Sequence, residues 1–117
     1  MSEFQIKKKI QEYEEEYVED LKRLVRIRSV RDSAAVCPGT PFGKGIREAF
    51  DCFLEIGERF GFPAADFDGY ACHLLYGEQE EYVGVLGHLD VVDIQYPGQW
   101  KTPPFELHRT REGMLYG

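Results

Sequence analysis

The chain has 117 residues, with 14 basic and 21 acidic side chains and a formal net charge of −7. That length suits one domain, and 43% hydrophobic residues supply a core, which excludes a disordered tail, a collagen-like repeat or a mucin-like stalk. The acidic balance argues against nucleic acid or an anionic membrane as partner, because phosphate binding needs a basic face, and no apolar run approaches the roughly 20 residues that span a bilayer.

The first ten residues carry three lysines with no apolar stretch behind them, so a secretory signal is not expected there. From Gln5 to Ile27 the apolar residues Ile6, Ile10, Tyr13, Tyr17, Leu21, Leu24 and Val25 recur in steps of three and four, the stripe of one amphipathic helix. Ser2 and Glu3 suit its start, and Arg23, Arg26 and Arg28 suit the negative end of its dipole. Glu12, Glu14, Glu15, Glu16 and Glu19 read as a solvated helix face, since the apolar stripe points elsewhere. Turn residues follow from Ser29 to Gly39. A second helix is predicted to open with Thr40 as N-cap and Pro41 as first helical residue, to bury Ile46, Ala49, Phe50, Phe53, Leu54 and Phe60, and to stop at Gly61. Gly43 and Gly45 in its first turn serve either close packing or a backbone approach in a cleft; the spacing leaves both open.

Beyond Pro63 the period becomes strand-like. Tyr70–Tyr76 and Tyr82–Leu86 read as a hairpin around a polar turn at Gly77–Glu81, with the second strand apolar enough to be covered on both faces. A shorter hairpin is expected from Leu107–Thr110 to Met114–Tyr116 through Glu112-Gly113. The fold class is therefore α/β, with amphipathic helices on a small mixed sheet. Cys37, Cys52 and Cys72 are odd in number and lack a close pair, so free thiols acting as small buried hydrophobes in a reducing cytosol are expected.

The chemistry is concentrated in Leu86-Gly87-His88-Leu89-Asp90-Val91-Val92. In open α/β sheets ligands collect where strands leave the core. His88 and Asp90, two residues apart on extended chain, face the same side, and a carboxylate beside one imidazole nitrogen fixes the tautomer of a histidine that binds metal through the other. His73 and His108 read as strand-face residues; a three-histidine zinc site from His73, His88 and His108 has no supporting spacing.

That stretch is similar to the metal-binding strand of the dizinc peptidase superfamily, which includes aminoacylases, desuccinylases, carboxypeptidase G-type enzymes and cytosolic dipeptidases. Trp100, Thr102-Pro103-Pro104-Phe105-Glu106 and Gly113-Met114-Leu115-Tyr116-Gly117 follow in the superfamily's order. Ser29-Val30-Arg31-Asp32, Pro41-Phe42-Gly43-Lys44-Gly45, Gly61-Phe62 and Asp68-Gly69-Tyr70-Ala71 resemble its bacterial Xaa-His dipeptidase, carnosinase-like branch. The resemblance runs from about Tyr17 to Gly117.

It implies the N-terminal part of a three-layer α/β/α catalytic domain in a cytoplasmic enzyme that hydrolyses dipeptides with two Zn2+ ions. His88 would be a metal ligand and Asp90 the catalytic-site carboxylate that orients it, while Trp100, Pro103, Pro104 and Phe105 would serve packing and loop shape. Two departures stand out. After Val92 the family usually has proline, and this chain has Asp93-Ile94. The bridging aspartate, the general-base glutamate, the other ligands and the lid domain of the family have no counterpart in residues 1–117. The expectation is an incomplete catalytic domain that by itself binds no zinc tightly and turns over no dipeptide. The alternative, from a different class, is a stable non-catalytic domain that associates with itself or a partner protein through an exposed sheet edge or apolar surface.

Overall fold

Ser2 caps the first helix reciprocally with Gln5: its hydroxyl accepts from the Gln5 amide while the Gln5 side chain accepts from the Ser2 amide. The computed structural model describes all of residues 1–117, and in it the long stripe from Gln5 to Ile27 forms two helices, α1 (Glu3–Glu12) and α2 (Glu14–Arg26). The break falls at Tyr13, where ψ is −1°. No α1 residue is buried, so that half of the stripe has no surface to pack on, whereas α2 buries Val18 and Asp20.

The second predicted helix is α3 (Lys44–Arg59), three residues shorter at its start than a Thr40 cap implies. Thr40 instead closes a tight turn on Cys37: its hydroxyl donates to the Cys37 carbonyl at 3.2 Å and lies 2.8 Å from Sγ. Gly43, at φ +98°, then turns the chain into the helix. The far end matches expectation, with Gly61 left-handed at φ +75°. Ile46, Ala49, Phe50 and Cys52 of α3 meet Val18 of α2 as the buried core. Phe53 and Leu54 are half-buried and Phe60 is exposed.

The five glutamates from Glu12 to Glu19 are exposed, as a solvated face predicts, and ion pairs tie this side of the helices to the rest of the chain. Asp20 binds Arg59 of α3, Arg23 binds Glu55 at 2.8 Å, and Glu14 and Glu15 both receive the guanidinium of Arg109 from the far end of the chain. The other Asp20 oxygen is buried without a hydrogen bond, with Arg23 at 3.8 Å.

The expectation of helices on a small sheet holds, with both strand pairs antiparallel: β1 (Ala64–Phe67) with β2 (Ala71–Leu74), and β3 (His108–Arg109) with β4 (Leu115–Tyr116). Asp68 and Gly69 have φ of +54° and +76°, the two positive values that a tight hairpin turn needs, and the Tyr70 amide donates back to the Phe67 carbonyl at 3.0 Å. The hairpin thus precedes the predicted one: Ala71–Leu74 pairs backward with Ala64–Phe67, and Tyr82–Leu86 pairs with nothing. The terminal hairpin lies where Glu112-Gly113 predicts it. α3 packs between α2 and the β1–β2 hairpin, where Leu74 covers Gly57. The radius of gyration is 16.7 Å, against about 13 Å for a sealed globule of this length. The accessible surface of 9617 Å2 likewise exceeds the roughly 6500 Å2 of a closed monomer of this mass. No helix is long and apolar enough to cross a membrane.

Candidate functional site

The segment after α2 runs between two neighbours and is fastened to both. On one side the Asp32 amide donates to the Phe42 carbonyl at 3.0 Å, and the first turn of α3 comes so close that a Cβ on Gly45 would stand 2.1 Å from the Arg28 carbonyl oxygen. That approach settles why this turn carries glycines: the gap admits backbone and nothing larger. On the other side lies the segment from His88 to Ile94. Ser29, only 4% exposed, donates its hydroxyl to the Leu89 carbonyl at 2.7 Å and accepts the Val91 amide on its own carbonyl at 3.1 Å. The Arg28 guanidinium reaches both carboxylate oxygens of Asp93, at 2.6 and 2.8 Å. Arg28, together with the Ile94 amide, holds the Asp93 carboxyl below the usual carboxylate range.

At the head of this segment His88 projects into solvent, its side chain 79% exposed. Its Nδ1 lies 2.9 Å from the Asp90 carbonyl oxygen and 3.3 Å from Asp90 Oδ1, so the two residues expected to share a side do so. Both neighbours of Nδ1 are acceptors, which assigns the proton of a neutral ring to Nδ1 and leaves the lone pair on Nε2. Nε2 has no hydrogen-bond partner in the protein. An imidazole steered through Nδ1 with Nε2 presented outward is the arrangement of a metal-ligating histidine.

His88 stands on the rim of an open cleft of about 1230 Å3, floored by Leu21, Leu24 and Val25 of α2 and walled by Trp100 and Pro104. Phe105, at φ +63°, lines the cleft beside Pro104 and brings its ring to 6.0 Å from the Arg28 guanidinium. His108 lines the same cleft, whereas His73 lies on the β1–β2 hairpin against the Phe67 ring at 5.3 Å. A zinc ion takes three or four protein ligands, and nowhere in the chain do three His, Cys, Asp or Glu residues converge. The residues present fit one ligand position and its orienting carboxylate, and do not build a whole site.

The cysteines are free thiols, as expected. Burial pushes the Cys52 and Cys72 thiols up, as for small core residues, but Cys37 is exposed because its turn with Thr40 lies on the surface. Sequence reasoning missed the Arg28–Asp93 and Ser29–Leu89 contacts, which join residues 65 and 60 positions apart. The one local signal is a serine placed directly after a helix end, where a hydroxyl finds backbone to bond.

No protein-family profile matches the chain. Among curated proteins it is 39% identical over 103 residues to "Putative dipeptidase YtjP" of Bacillus subtilis strain 168, a match covering 87% of this chain and 21% of that protein. It is 41% and 38% identical over 109 residues to proteins of the same "putative dipeptidase" description from Staphylococcus haemolyticus and Staphylococcus aureus, covering 93% of this chain and 23% of each. The chain therefore spans less than a quarter of the relatives it matches, and over most of its own length it is related to proteins named as dipeptidases.

Proposed function

We propose that the chain is the N-terminal portion of the catalytic domain of a zinc-dependent dipeptidase, of the dizinc superfamily and its Xaa-His branch, with His88 as a metal ligand. The observation that carries this reading is the His88 imidazole, held through Nδ1 by Asp90 and presenting an unpartnered Nε2 at the mouth of a cleft. Similarity to proteins named dipeptidases supports it. Asp90 is the positioning residue: its backbone carbonyl, 2.9 Å from Nδ1, and its carboxylate, at 3.3 Å, fix which ring nitrogen carries the proton and raise the basicity of the other. The remaining ligands and the general base belong, on this reading, to polypeptide outside the stretch matched in the longer relatives. Zinc bound there would polarise a peptide carbonyl and lower the pKa of water. What residues 1–117 contribute is one aimed ligand and one wall of the cleft. Dipeptides are the substrate class and the cytoplasm the proposed compartment.

The test has two arms. Purified residues 1–117 with added Zn2+ are expected to hydrolyse no dipeptide and to retain no stoichiometric zinc by elemental analysis. The full open reading frame that contains this chain is expected to hydrolyse dipeptides and to retain zinc, and His88→Ala in it to lose about a hundredfold or more in turnover together with bound metal. Turnover by the 117 residues alone, or a His88→Ala enzyme with undiminished metal and activity, overturns the reading.

A further inference from the structure

We propose that Ser29 and Arg28, at the end of α2, are positioning residues for His88: they hold residues 89–93 so that the backbone carbonyl of Asp90 stays against Nδ1. The inference rests on the reading of His88 as a ligand but concerns a different part of the chain. His88 is itself exposed, and no side chain packs its ring into place, so its orientation depends on the path of the backbone behind it. That path is fastened at three successive points to one short segment. The Ser29 hydroxyl donates to the Leu89 carbonyl, the Ser29 carbonyl accepts the Val91 amide, and Nη2 of Arg28 donates to both carboxylate oxygens of Asp93. The Asp90 carbonyl that meets His88 lies between the first two of these.

The fastening segment is itself packed against α3. Ser29 is buried, and the Arg28 carbonyl is backed by the first turn of α3 at the place where Gly45 admits it. A loop held at both flanks by buried backbone loses little entropy when its side chain engages a ligand, which is what preorganisation of a site requires. A charge-assisted contact is stronger than a neutral hydrogen bond, so the Arg28–Asp93 ion pair restrains the loop from the segment that follows α2.

The test reads geometry in the 117-residue chain without metal. In uniformly 15N-labelled protein, above the pH at which imidazole is charged, the nitrogen shifts of His88 should report the Nδ1–H tautomer in excess. The Val91 amide should exchange at least tenfold more slowly than a free peptide amide. Ser29→Ala and Arg28→Ala are each expected to shift His88 toward the mixed tautomers of a free imidazole and to speed Val91 exchange at least threefold, while amides in the middle of α3 keep their protection. Ser29→Thr, which keeps the hydroxyl, should restore the wild-type pattern. Arg28 and Asp93 are exposed, so Arg28→Ala reads the fastening even where Ser29→Ala disturbs the fold. Wild-type His88 shifts and Val91 exchange in both alanine variants, or loss in Ser29→Thr equal to that in Ser29→Ala, overturns the proposal. That failure is separate from failure of the dipeptidase reading, which is decided by metal content and turnover of His88→Ala in the full reading frame.

Discussion

From Glu14 to Leu74 each helix and hairpin has a face against a neighbour, and from Gly77 to Gly117 no residue is buried. The first region carries the whole core of Val18, Ile46, Ala49, Phe50 and Cys52. The second also carries many apolar residues, yet Val83, Val85 and Leu86 are 95%, 96% and 100% exposed. The difference lies in where partners come from. An amphipathic helix completes its burial against elements close in sequence, as α2 does with α3. A doubly apolar strand needs strands on both sides, and none of residues 1–117 pairs with Tyr82–Leu86.

Core truncation sharpens that comparison most. Phe50→Ala should cost about 3–5 kcal/mol, enough to unfold the helical region in urea, whereas Leu86→Ala should move the midpoint by less than about 0.5 kcal/mol. Equal effects from the two would break the distinction. Next in size is Gly45→Ala, whose added methyl meets the Arg28 carbonyl at 2.1 Å. Backbone on both sides cannot yield, so a loss of about 1–3 kcal/mol is expected in place of the roughly 1 kcal/mol gain that alanine brings to an open helix position. Urea midpoints decide the sign.

The smallest effect is an acid dependence in the first region. The Gly69 amide, at 2.8 Å, and then Arg47 of α3 hold the Asp66 carboxyl below the usual carboxylate range. A carboxyl depressed in the folded state stabilises above its unfolded pKa of about 3.9, and this contribution fades as pH falls through the folded value. Urea midpoints between pH 6 and pH 2 should therefore fall less steeply in Asp66→Asn than in wild type, and parallel curves would remove this tie between α3 and the hairpin.

What the sequence made legible follows the same division. The stripe of α2 and α3, the left-handed stop at Gly61 and the Glu112-Gly113 hairpin are local signals, and the structure has them. Asp68-Gly69 is an equally local turn signal that the expectation of a turn at Gly77–Glu81 passes over, and the observed hairpin lies one strand earlier. Thr40 has the chemistry of a helix cap but spends its hydroxyl on Cys37. At the candidate site the nearness of His88 and Asp90 was legible because two residues on extended chain share a side. The clamp from Arg28 and Ser29 was not, since no periodicity links residues 60 positions apart.

The bare Tyr82–Leu86 stretch gives the molecule a preferred point of cleavage. A protease must draw an extended, unpaired backbone into its groove, and Leu86, between Gly84 and Gly87, offers a large side chain on such a backbone. A single nick there would sever the polypeptide without at once separating its parts. The Arg28–Asp93 and Ser29–Leu89 contacts, and Arg109 on Glu14 and Glu15, would still bind the released C-terminal piece to α2.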